Sequence, residues 1–386
     1  MKNYLKQKFF DTFFVDAEKY ISCGGRFEVL GNHTDHNHGL CIAATCSLSI
    51  YAAIRKRDDN IIRFYSEGFG YTKIDLSKLN KQKAEIGKSS ALIRGIAYYL
   101  SKQYKVGGFD LYSRSEVPAG AGVSSSAAFE LLIAQSFNML FNESKIPLMT
   151  LCKASQFAER DYYGKMCGLL DQIGVAYGGL TYIDFKDIDN PIVKLAKPNL
   201  DNYSFLIVNS GGSHAGLSHL YKAIPDDMFK VANYFGKQYL RDVDCELFLK
   251  NKQNVIDNCG QLAYERAEHF FGENQRVVEA ETAIKNNDIK TLIKLINESR
   301  MSSTVLLHNM YVDEIKGSPL EACDLVMESS HGKAGVKING GGFAGSVIAL
   351  VPNDELQNVI DAASKQYGKD NVHLVSVRND TPCELK

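Results

Sequence analysis

Residues 117–130 read VPAGAGVSSSAAFE, and the chain continues with apolar residues at helical spacing to Leu140. The pattern predicts a helix over 125–140 that is preceded by a loop of very small residues. Small residues let a ligand approach the backbone, and the N–H groups at a helix N-terminus attract phosphate. N-capping would explain Ser124 alone. Gly-Ala-Gly followed by three serines therefore predicts a phosphate-binding loop.

The elements around this loop predict an α+β fold. On the N-terminal side, strands are predicted over 26–30, 46–55, 61–65 and 109–114, with a helix over 91–102. On the C-terminal side, we predict helices over 147–163, 318–329 and 354–367, a mostly helical region over 227–299, and strands over 179–185, 203–209, 336–339, 346–351 and 372–377. Strands and helices mix without strict βαβ alternation. The polar segment 186–191 suggests two domains, residues 1–190 and 191–386.

Composition narrows the class of protein. The chain has 386 residues and a formal net charge of −1, so no basic surface for nucleic acid is indicated. No apolar run is long enough to span a bilayer, and the N-terminal segment lacks the features of a signal peptide. Nine scattered cysteines without a CxxC spacing indicate free thiols in a reducing compartment. We therefore expect a cytoplasmic protein, a monomer by preference, with neither nucleic acid nor membrane as partner.

A second polar segment, residues 25–39, reads GRFEVLGNHTDHNHG. Its three histidines and Asp35 are competent metal ligands, but all four would have to coordinate from a single turn. A polar surface loop is the simplest alternative. Carboxylates and amides suit the hydroxyl groups of a sugar better, so we favour a polyhydroxyl ligand.

Two further segments carry weaker signals. Residues 159–172 read ERDYYGKMCGLLDQ, where a lone Asp171 would ordinarily be a helix cap or a surface residue. Gly340–Gly345 matches the GxGxxG dinucleotide pattern, but SVIALV follows it and predicts a strand instead of the required helix. Gly87-Lys88-Ser89 ends like a Walker A motif but lacks its first glycine. Neither pattern indicates a nucleotide site.

Taken together, the four segments resemble the galactokinases of the GHMP kinase superfamily. The matching order is a GR-turn-HTD segment, a PxGAGxSSSAA loop, a CGxxDQ segment and a late GGGFxG loop, across nearly the whole chain. The resemblance implies a ribosomal-protein-type N-terminal domain and a ferredoxin-like C-terminal domain, with the active site in the cleft between them. It also implies ATP-dependent phosphorylation of galactose at the anomeric hydroxyl, with ATP and Mg²⁺ as cofactors.

The resemblance also implies roles for individual residues. Arg26 and Asp171 match the catalytic pair, while Ser126 and Glu159 match the positions that hold magnesium. A depressed pKa is expected for Asp171 beside Arg26, so this carboxylate should orient the sugar hydroxyl as well as accept its proton. The residues that match the sugar pocket are Asn32, His33, Asp35, Gly168 and Tyr221. The residues that match the triphosphate loop are Gly120, Ala121, Gly122, Val123, Ser124, Ser125 and Ser126, and Gly341 and Gly342 are expected near the phosphate path.

The chain departs from the family pattern in three places. Asn32 and His36 replace the Glu and Tyr of the GEHTDY motif, residues 299–302 read SRMS instead of Ser-His-x-Ser, and there is no tryptophan. An amide at Asn32 removes a charged acceptor for a sugar hydroxyl, which leaves open a kinase for an amino sugar, a uronic acid or another hexose. A sugar- and ATP-binding regulator without catalysis is a second alternative. The intact Arg26, Asp171 and serine run favour an enzyme.

Overall fold

The computed structural model describes residues 1–118, 122–212, 216–312 and 317–385. Gly120 and Ala121 of the predicted phosphate loop lie outside the described residues. The strands are β1 Lys19–Leu30, β2 Leu40–Lys56, β3 Ile61–Ser66, β4 Gly70–Asp75, β5 Phe109–Ser115, β6 Leu180–Asp184, β7 Ile192–Ala196, β8 Tyr203–Asn209, β9 Gly335–Ile338, β10 Ser346–Pro352, β11 Val372–Val375 and β12 Cys383–Glu384.

Helices fill most of the remaining chain. They are α1 Lys2–Phe13, α2 Ser89–Ser101, α3 Ser125–Phe141, α4 Leu148–Phe157, α5 Leu170–Ala176, α6 Ser218–Tyr234, α7 Cys245–Lys250, α8 Lys252–Cys259, α9 Gln261–Lys285, α10 Ile289–Ser302, α11 Pro319–Ser329 and α12 Leu356–Tyr367. The π-helical turns Ala158–Tyr163 and Ser303–Leu307 continue α4 and α10. No helix in the described ranges is long and apolar enough to cross a membrane.

The larger sheet is organised around β2. Its strand order is β12-β1-β2-β5-β3-β4, with β6 and β7 added beside the first part of β2. Neighbouring strands are antiparallel except β3 and β5. Because β2 has 17 residues, it pairs with β6 near its start and with β5 near its end. Helices α2 to α5 bury their apolar residues in the same hydrophobic core as this sheet.

The β1–β2 ladder is irregular where Arg26 lies. The pairing register shifts between Gly24 and Arg26, and again between Glu28 and Leu30. A β-bulge bends the strand and changes the direction of its side chains. The Arg26 side chain is only 7% exposed and reaches Asp171 at the start of α5. The irregularity therefore lies beside the residue pair to which the family resemblance gives a catalytic role.

The smaller sheet has the strand order β11-β8-β10-β9 and is antiparallel throughout. Its chain order is strand, helices, strand, strand, helix, strand, which is the ferredoxin-like arrangement with α6 to α11 inserted after the first strand. Val326 of α11 and Val359 of α12 pack with the sheet in one core. Val277 of α9 and Leu292 of α10 instead join the core of the larger sheet, so the two halves are packed together.

The domain division after residue 190 stays a prediction. β7 follows that point yet pairs with β6, so it extends the larger sheet. The segment 376–385 also returns to this sheet, where β12 pairs with β1. Arg378 fastens the segment through hydrogen bonds to Ser22 and Ser49.

Several predicted elements are confirmed in detail. The strand over 203–209 has the predicted bounds, and α3 begins at Ser125 as expected. The GxGxxG stretch connects β9 to the antiparallel β10 and opens no helix. It is therefore a hairpin connection, and the strand predicted after Gly345 is confirmed.

Candidate active site

Asp171, in the first turn of α5, accepts hydrogen bonds from two other segments. Arg26 Nε donates to its Oδ1 at 2.8 Å, and Ser124 Oγ donates to its Oδ2 at 2.6 Å. Burial raises the pKa of Asp171, but the charge of Arg26 and the two hydrogen bonds outweigh burial and lower the pKa below its usual value. The expected depression of this pKa is confirmed, and the carboxylate is ionised at neutral pH.

The described part of the serine loop rests between β1 and β10. Ser124 has a left-handed φ of 53°, and its hydroxyl makes no capping bond to α3 within the described chain, so the capping interpretation of Ser124 is wrong. Arg26 Nη1 donates to the carbonyl of Gly122 at 2.5 Å, and its backbone N–H donates to Val123 at 3.0 Å. A Cβ atom at Gly122 would lie 2.4 Å from Ser346 Oγ. Arg26 thus joins the loop to the carboxylate of Asp171.

Ser126 faces Glu159, which lies in the π-helical turn after α4. Ser126 Oγ donates to Glu159 Oε1 at 3.4 Å, and Lys165 Nζ contacts the same oxygen at 2.8 Å. Gln172 Nε2 donates at 3.1 Å both to Glu159 Oε2 and to Glu130 Oε2. Burial and the neighbouring Glu159 raise the pKa of Glu130 well above its usual value. Glu159 Oε1 is therefore the carboxylate oxygen that faces Ser126 and Lys165.

The donor set at Ser126 and Glu159 suits magnesium. Hydroxyl and carboxylate oxygens are hard ligands, and Mg²⁺ in kinases usually takes one or two of them and completes its shell with phosphates and water. Across the parts of the chain described here, no group of three or more His, Cys, Asp or Glu side chains is arranged to hold a metal ion. His38 of the histidine-rich segment stacks on Tyr239, with ring centroids 3.7 Å apart.

His33 carries a buried acceptor. Its Nε2 lies 2.8 Å from the carbonyl of Gly341, so this nitrogen donates the hydrogen and Nδ1 is the acceptor. Burial, reinforced by His36, lowers the pKa of His33 to about 3, so the imidazole is neutral. Nδ1 has no hydrogen-bond partner among the described residues. A ligand hydroxyl is the kind of group that would satisfy it.

Asp35 brings the histidine-rich turn to the start of α5. Its Oδ1 accepts the backbone N–H of His36 at 3.0 Å. Its Oδ2 lies against Gly168, where a Cβ atom would be 1.9 Å from that oxygen. Position 168 therefore has to be glycine for this contact to exist. Because Gly168 precedes Asp171 by three residues, the predicted sugar and catalytic residues are close together.

The glycine loop over 340–342 lies between His33 and Tyr221. Tyr221 of α6 donates its hydroxyl to the carbonyl of Gly342 at 2.6 Å, and its ring leaves no room for a Cβ atom at Gly341. Burial raises the pKa of Tyr221 to about 12, so its hydroxyl stays protonated. The loop therefore contacts both His33 and Tyr221.

Asn32 is almost completely buried, with 1% exposure. Its Nδ2 donates to Glu28 Oε1 at 3.0 Å and to the carbonyl of Gly340 at 2.7 Å. Its Oδ1 accepts a hydrogen bond from Asn309 at 2.8 Å. Glu28 in turn pairs with the buried Lys337 at 2.7 Å. Both amide hydrogens of Asn32 are used inside the protein, and one lone pair of its oxygen remains.

Glu273 and His269 of α9 are fully buried, and the sequence analysis did not identify them. Glu273 Oε1 accepts the backbone N–H groups of residues 31–32, at 2.9 and 3.3 Å, and the hydroxyl of Ser299 at 2.7 Å. His269 lies 3.0 Å from the carbonyl of residue 32 and 2.8 Å from Ser302 Oγ. The available signals were the four-residue spacing of the two groups on one helix and the serines of the SRMS segment.

A cavity of about 750 Å³ opens beside the serine loop, a size typical of small-molecule sites. Its polar lining residues include Ser125, Ser126, Glu159 and Lys165. The remaining lining includes apolar side chains, among them Phe64, Leu92, Val117 and Phe129. Phe64 and Phe129 pack against each other with ring centroids 5.3 Å apart.

Comparison with known proteins matches most of this chain to kinases. Three family models match: the galactokinase galactose-binding signature at residues 7–56, the GHMP kinases N-terminal domain at 91–179 and the GHMP kinases C-terminal domain at 280–369. The galactokinase of Glaesserella parasuis is 30% identical over 377 residues, which cover 95% of this chain and 94% of the relative. The galactokinase of Clostridium tetani is 30% identical over 372 residues, covering 95% and 92%.

Solved structures agree with this match. Lactococcus lactis galactokinase complexed with galactose superimposes with a TM-score of 0.85 at 25% identity, with 100% of both chains covered. Methanococcus jannaschii mevalonate kinase gives a TM-score of 0.67 at 15% identity, covering 93% and 98%, which is a likeness of fold alone. The two-domain GHMP kinase fold expected from the sequence is confirmed. The chain belongs to the galactokinase family.

Proposed function

We propose that this chain is an ATP-dependent galactose 1-kinase. It transfers the γ-phosphoryl group of ATP to the anomeric hydroxyl of galactose and gives galactose 1-phosphate and ADP. The observation that carries the proposal is the ionised Asp171, which accepts hydrogen bonds from Arg26 and Ser124 and lies three residues from the contact between Gly168 and Asp35. The full-length similarity to curated galactokinases supports galactose as the sugar.

The sugar binds between the histidine-rich turn and the glycine loop. Nδ1 of His33 accepts a hydrogen bond from one sugar hydroxyl, and Oδ2 of Asp35 accepts a hydrogen bond from another. Gly168 keeps this side of the pocket open, because any side chain there would displace the Asp35 carboxylate. Tyr221 lines the pocket beside Gly341. Asn32 acts mainly by holding the glycine loop, and its remaining oxygen lone pair accepts one further hydrogen bond.

ATP binds with its phosphates at the serine loop, Gly120–Ser126, and its base in the 750 Å³ cavity. The N–H groups at the start of α3 and their partial positive charge favour phosphate oxygens. Phe64 and Phe129 supply aromatic surface for adenine, in a chain that has no tryptophan. Leu92 and Val117 extend the apolar surface of the cavity.

Magnesium fits the oxygen ligands at this end of the cavity. Ser126 Oγ and Glu159 Oε1 would hold the ion, whose other ligands would be phosphate oxygens and water. When bound, Mg²⁺ neutralises phosphate charge that develops during transfer.

Asp171 positions the anomeric hydroxyl and accepts its proton. Because the pKa of Asp171 is lowered, the carboxylate is a weak base, and complete deprotonation before phosphoryl transfer would be unfavourable. The proton therefore moves to the carboxylate as the new O–P bond forms. Arg26, bonded both to Asp171 and to the carbonyl of Gly122, is close enough to the loop to stabilise charge on the transferred phosphoryl group.

The test is an ATP-consumption assay over a panel of hexoses, amino sugars and uronic acids, with and without Mg²⁺. We expect Mg²⁺-dependent turnover with galactose. Turnover with a derivative alone would favour a kinase for another hexose or hexose derivative. Nucleotide binding without turnover of any sugar would favour the non-catalytic regulator. A cytoplasmic monomer that acts on small molecules alone remains our prediction for its cellular form.

A further inference from the structure

Lys165 lies in the short segment between the π-helical turn and α5. The preceding Gly164 has a left-handed φ of 95°, and the backbone N–H of Lys165 donates to the carbonyl of Glu159 at 3.0 Å. The chain therefore turns back on itself. Lys165 Nζ reaches Glu159 Oε1 at 2.8 Å. Lys165 lines the 750 Å³ cavity together with Ser126, and both side chains contact Glu159 Oε1.

The ammonium and a divalent cation would compete for one oxygen. Ser126 Oγ approaches Glu159 Oε1 at 3.4 Å, from the same cavity that Lys165 lines. The other oxygen, Oε2, already accepts a hydrogen bond from Gln172. Because Mg²⁺ coordinates carboxylate oxygen at about 2.0–2.1 Å, it cannot take Oε1 while a second cation stays in direct contact there without strong repulsion. Binding of a metal ion at Oε1 would therefore release Lys165 from Glu159.

The nearby carboxylates are not available as new partners for the released ammonium group. Glu130 lies behind Gln172 and is fully buried. Asp171 already accepts hydrogen bonds from Arg26 and Ser124. The side chain of Lys165 is 58% exposed, so it moves without disturbing the core. Glu67, another carboxylate that lines the cavity, already accepts hydrogen bonds from Tyr4 and Tyr112. The triphosphate of the nucleotide would be a new anion in the same cavity.

We propose that Lys165 is a phosphate-binding residue that pairs with Glu159 until the magnesium nucleotide arrives and then moves to the phosphate oxygens. The inference rests on the proposed function, because it requires a nucleotide at the serine loop. Exchange of partners makes the binding of metal and nucleotide cooperative. The metal alone has to displace an ion pair, whereas the metal with nucleotide provides the ammonium with a new anion.

The test compares the wild type with Lys165→Met, which keeps the aliphatic length and removes the charge. Calorimetry measures two affinities, one for Mn²⁺ alone and one for the Mg²⁺ complex of a non-hydrolysable ATP analogue. We expect the variant to bind Mn²⁺ alone about tenfold more tightly and the nucleotide complex about tenfold more weakly, the size typical of one charged hydrogen bond. Lys145→Met is the matched control. Its exposed pair with Glu143 lies elsewhere, so neither affinity should change.

Two results would overturn the proposal. Unchanged affinities would make Lys165 an ordinary surface ion pair, and a parallel loss of both would make it a mere support for Glu159. Failure of the wild type to bind the nucleotide complex would instead overturn the proposed function together with this inference. Thermal unfolding checks that each variant is folded, and Lys165→Gln replaces Lys165→Met if the latter is not.

Discussion

The serine loop and the histidine-rich turn meet near Asp171, but different kinds of contact hold them. The described part of the serine loop bonds to the ion pair of Arg26 and Asp171, and the side chain of Asp171 is 33% exposed. The turn over 31–39 depends on Glu273 and His269, which are both fully buried. A partly exposed charge can serve chemistry, whereas a buried polar network fixes a shape. Changes at the first region should therefore affect rate, and changes at the second should affect folding.

The largest effect is expected from a substitution at Asp171, which contacts the serine loop. Asp171→Asn removes the proton acceptor and the charge that pairs with Arg26, so turnover should fall about 10²–10⁴-fold. Affinity for the nucleotide analogue should stay within about threefold. Steady-state kinetics and calorimetry measure the two quantities. Turnover within about threefold of the wild type would refute the role of Asp171.

The next largest effect is expected from a substitution at Glu273, which contacts the turn over 31–39. Glu273→Gln leaves Arg276 without its charged partner in a buried site, so the free energy of unfolding should fall by about 3 kcal/mol. The KM for galactose should rise more than kcat falls, because the turn over 31–39 loses its anchor. Denaturant unfolding and kinetics measure both effects. An unchanged free energy of unfolding would show that Glu273 is replaceable.

Acid should reduce the difference between the wild type and Glu273→Gln. Burial raises the pKa of Glu273, but Arg276, His269 and Lys337 overcome burial and lower it from 4.5 to about 2. A lowered pKa means that the stabilisation is complete above pH 4.5 and is lost as the pH falls toward 2. Between pH 7 and pH 3.5 the difference in unfolding free energy should therefore shrink by about 1 kcal/mol. A constant difference would contradict the assigned charge.

A smaller loss of stability is expected when a charge is introduced at Asn32. Asn32→Glu places a second carboxylate beside Glu28, and Lys337 can neutralise only one of them, so the variant should lose about 1–3 kcal/mol of stability. Adding Glu28→Gln restores a single charge and should recover most of that loss. The comparison of single and double variants by denaturant unfolding is the measurement. Equal stabilities of the two variants would show that the carboxylates do not interact.

The last prediction is that pH has no effect on the binding of galactose between pH 5.5 and 8. The pKa of His33 is about 3, and the pKa of Asp171 is also lowered, so neither group changes charge between pH 5.5 and 8. The KM for galactose should therefore stay constant over that range. A rise in KM with a midpoint near pH 6.5 would contradict the constant charge that we assign to these two groups.

The sequence predicted features that depend on neighbouring residues. The start of α3 at Ser125, the strand over 203–209 and the strand after Gly345 all follow from local patterns. Contacts between distant segments were out of reach. The bond between Gly31 and Glu273 joins residues 242 positions apart, and the spacing of His269 and Glu273 on one helix does not identify the segment that they contact. The bond from Ser124 to Asp171 was out of reach for the same reason, because the two residues are 47 positions apart.

The return of the segment 376–385 to the larger sheet has a consequence for biosynthesis. β1, which carries Arg26, forms its outer ladder with residues 383–384, and Arg378 fills the space beside Ser22 and Ser49. During translation at roughly 5–20 residues per second, β1 leaves the ribosome tens of seconds before its outer partner. Throughout that interval the nascent chain exposes an unpaired strand edge, the kind of surface that pairs with other chains. Molecular chaperones that shield such edges should therefore bind this polypeptide before its synthesis ends.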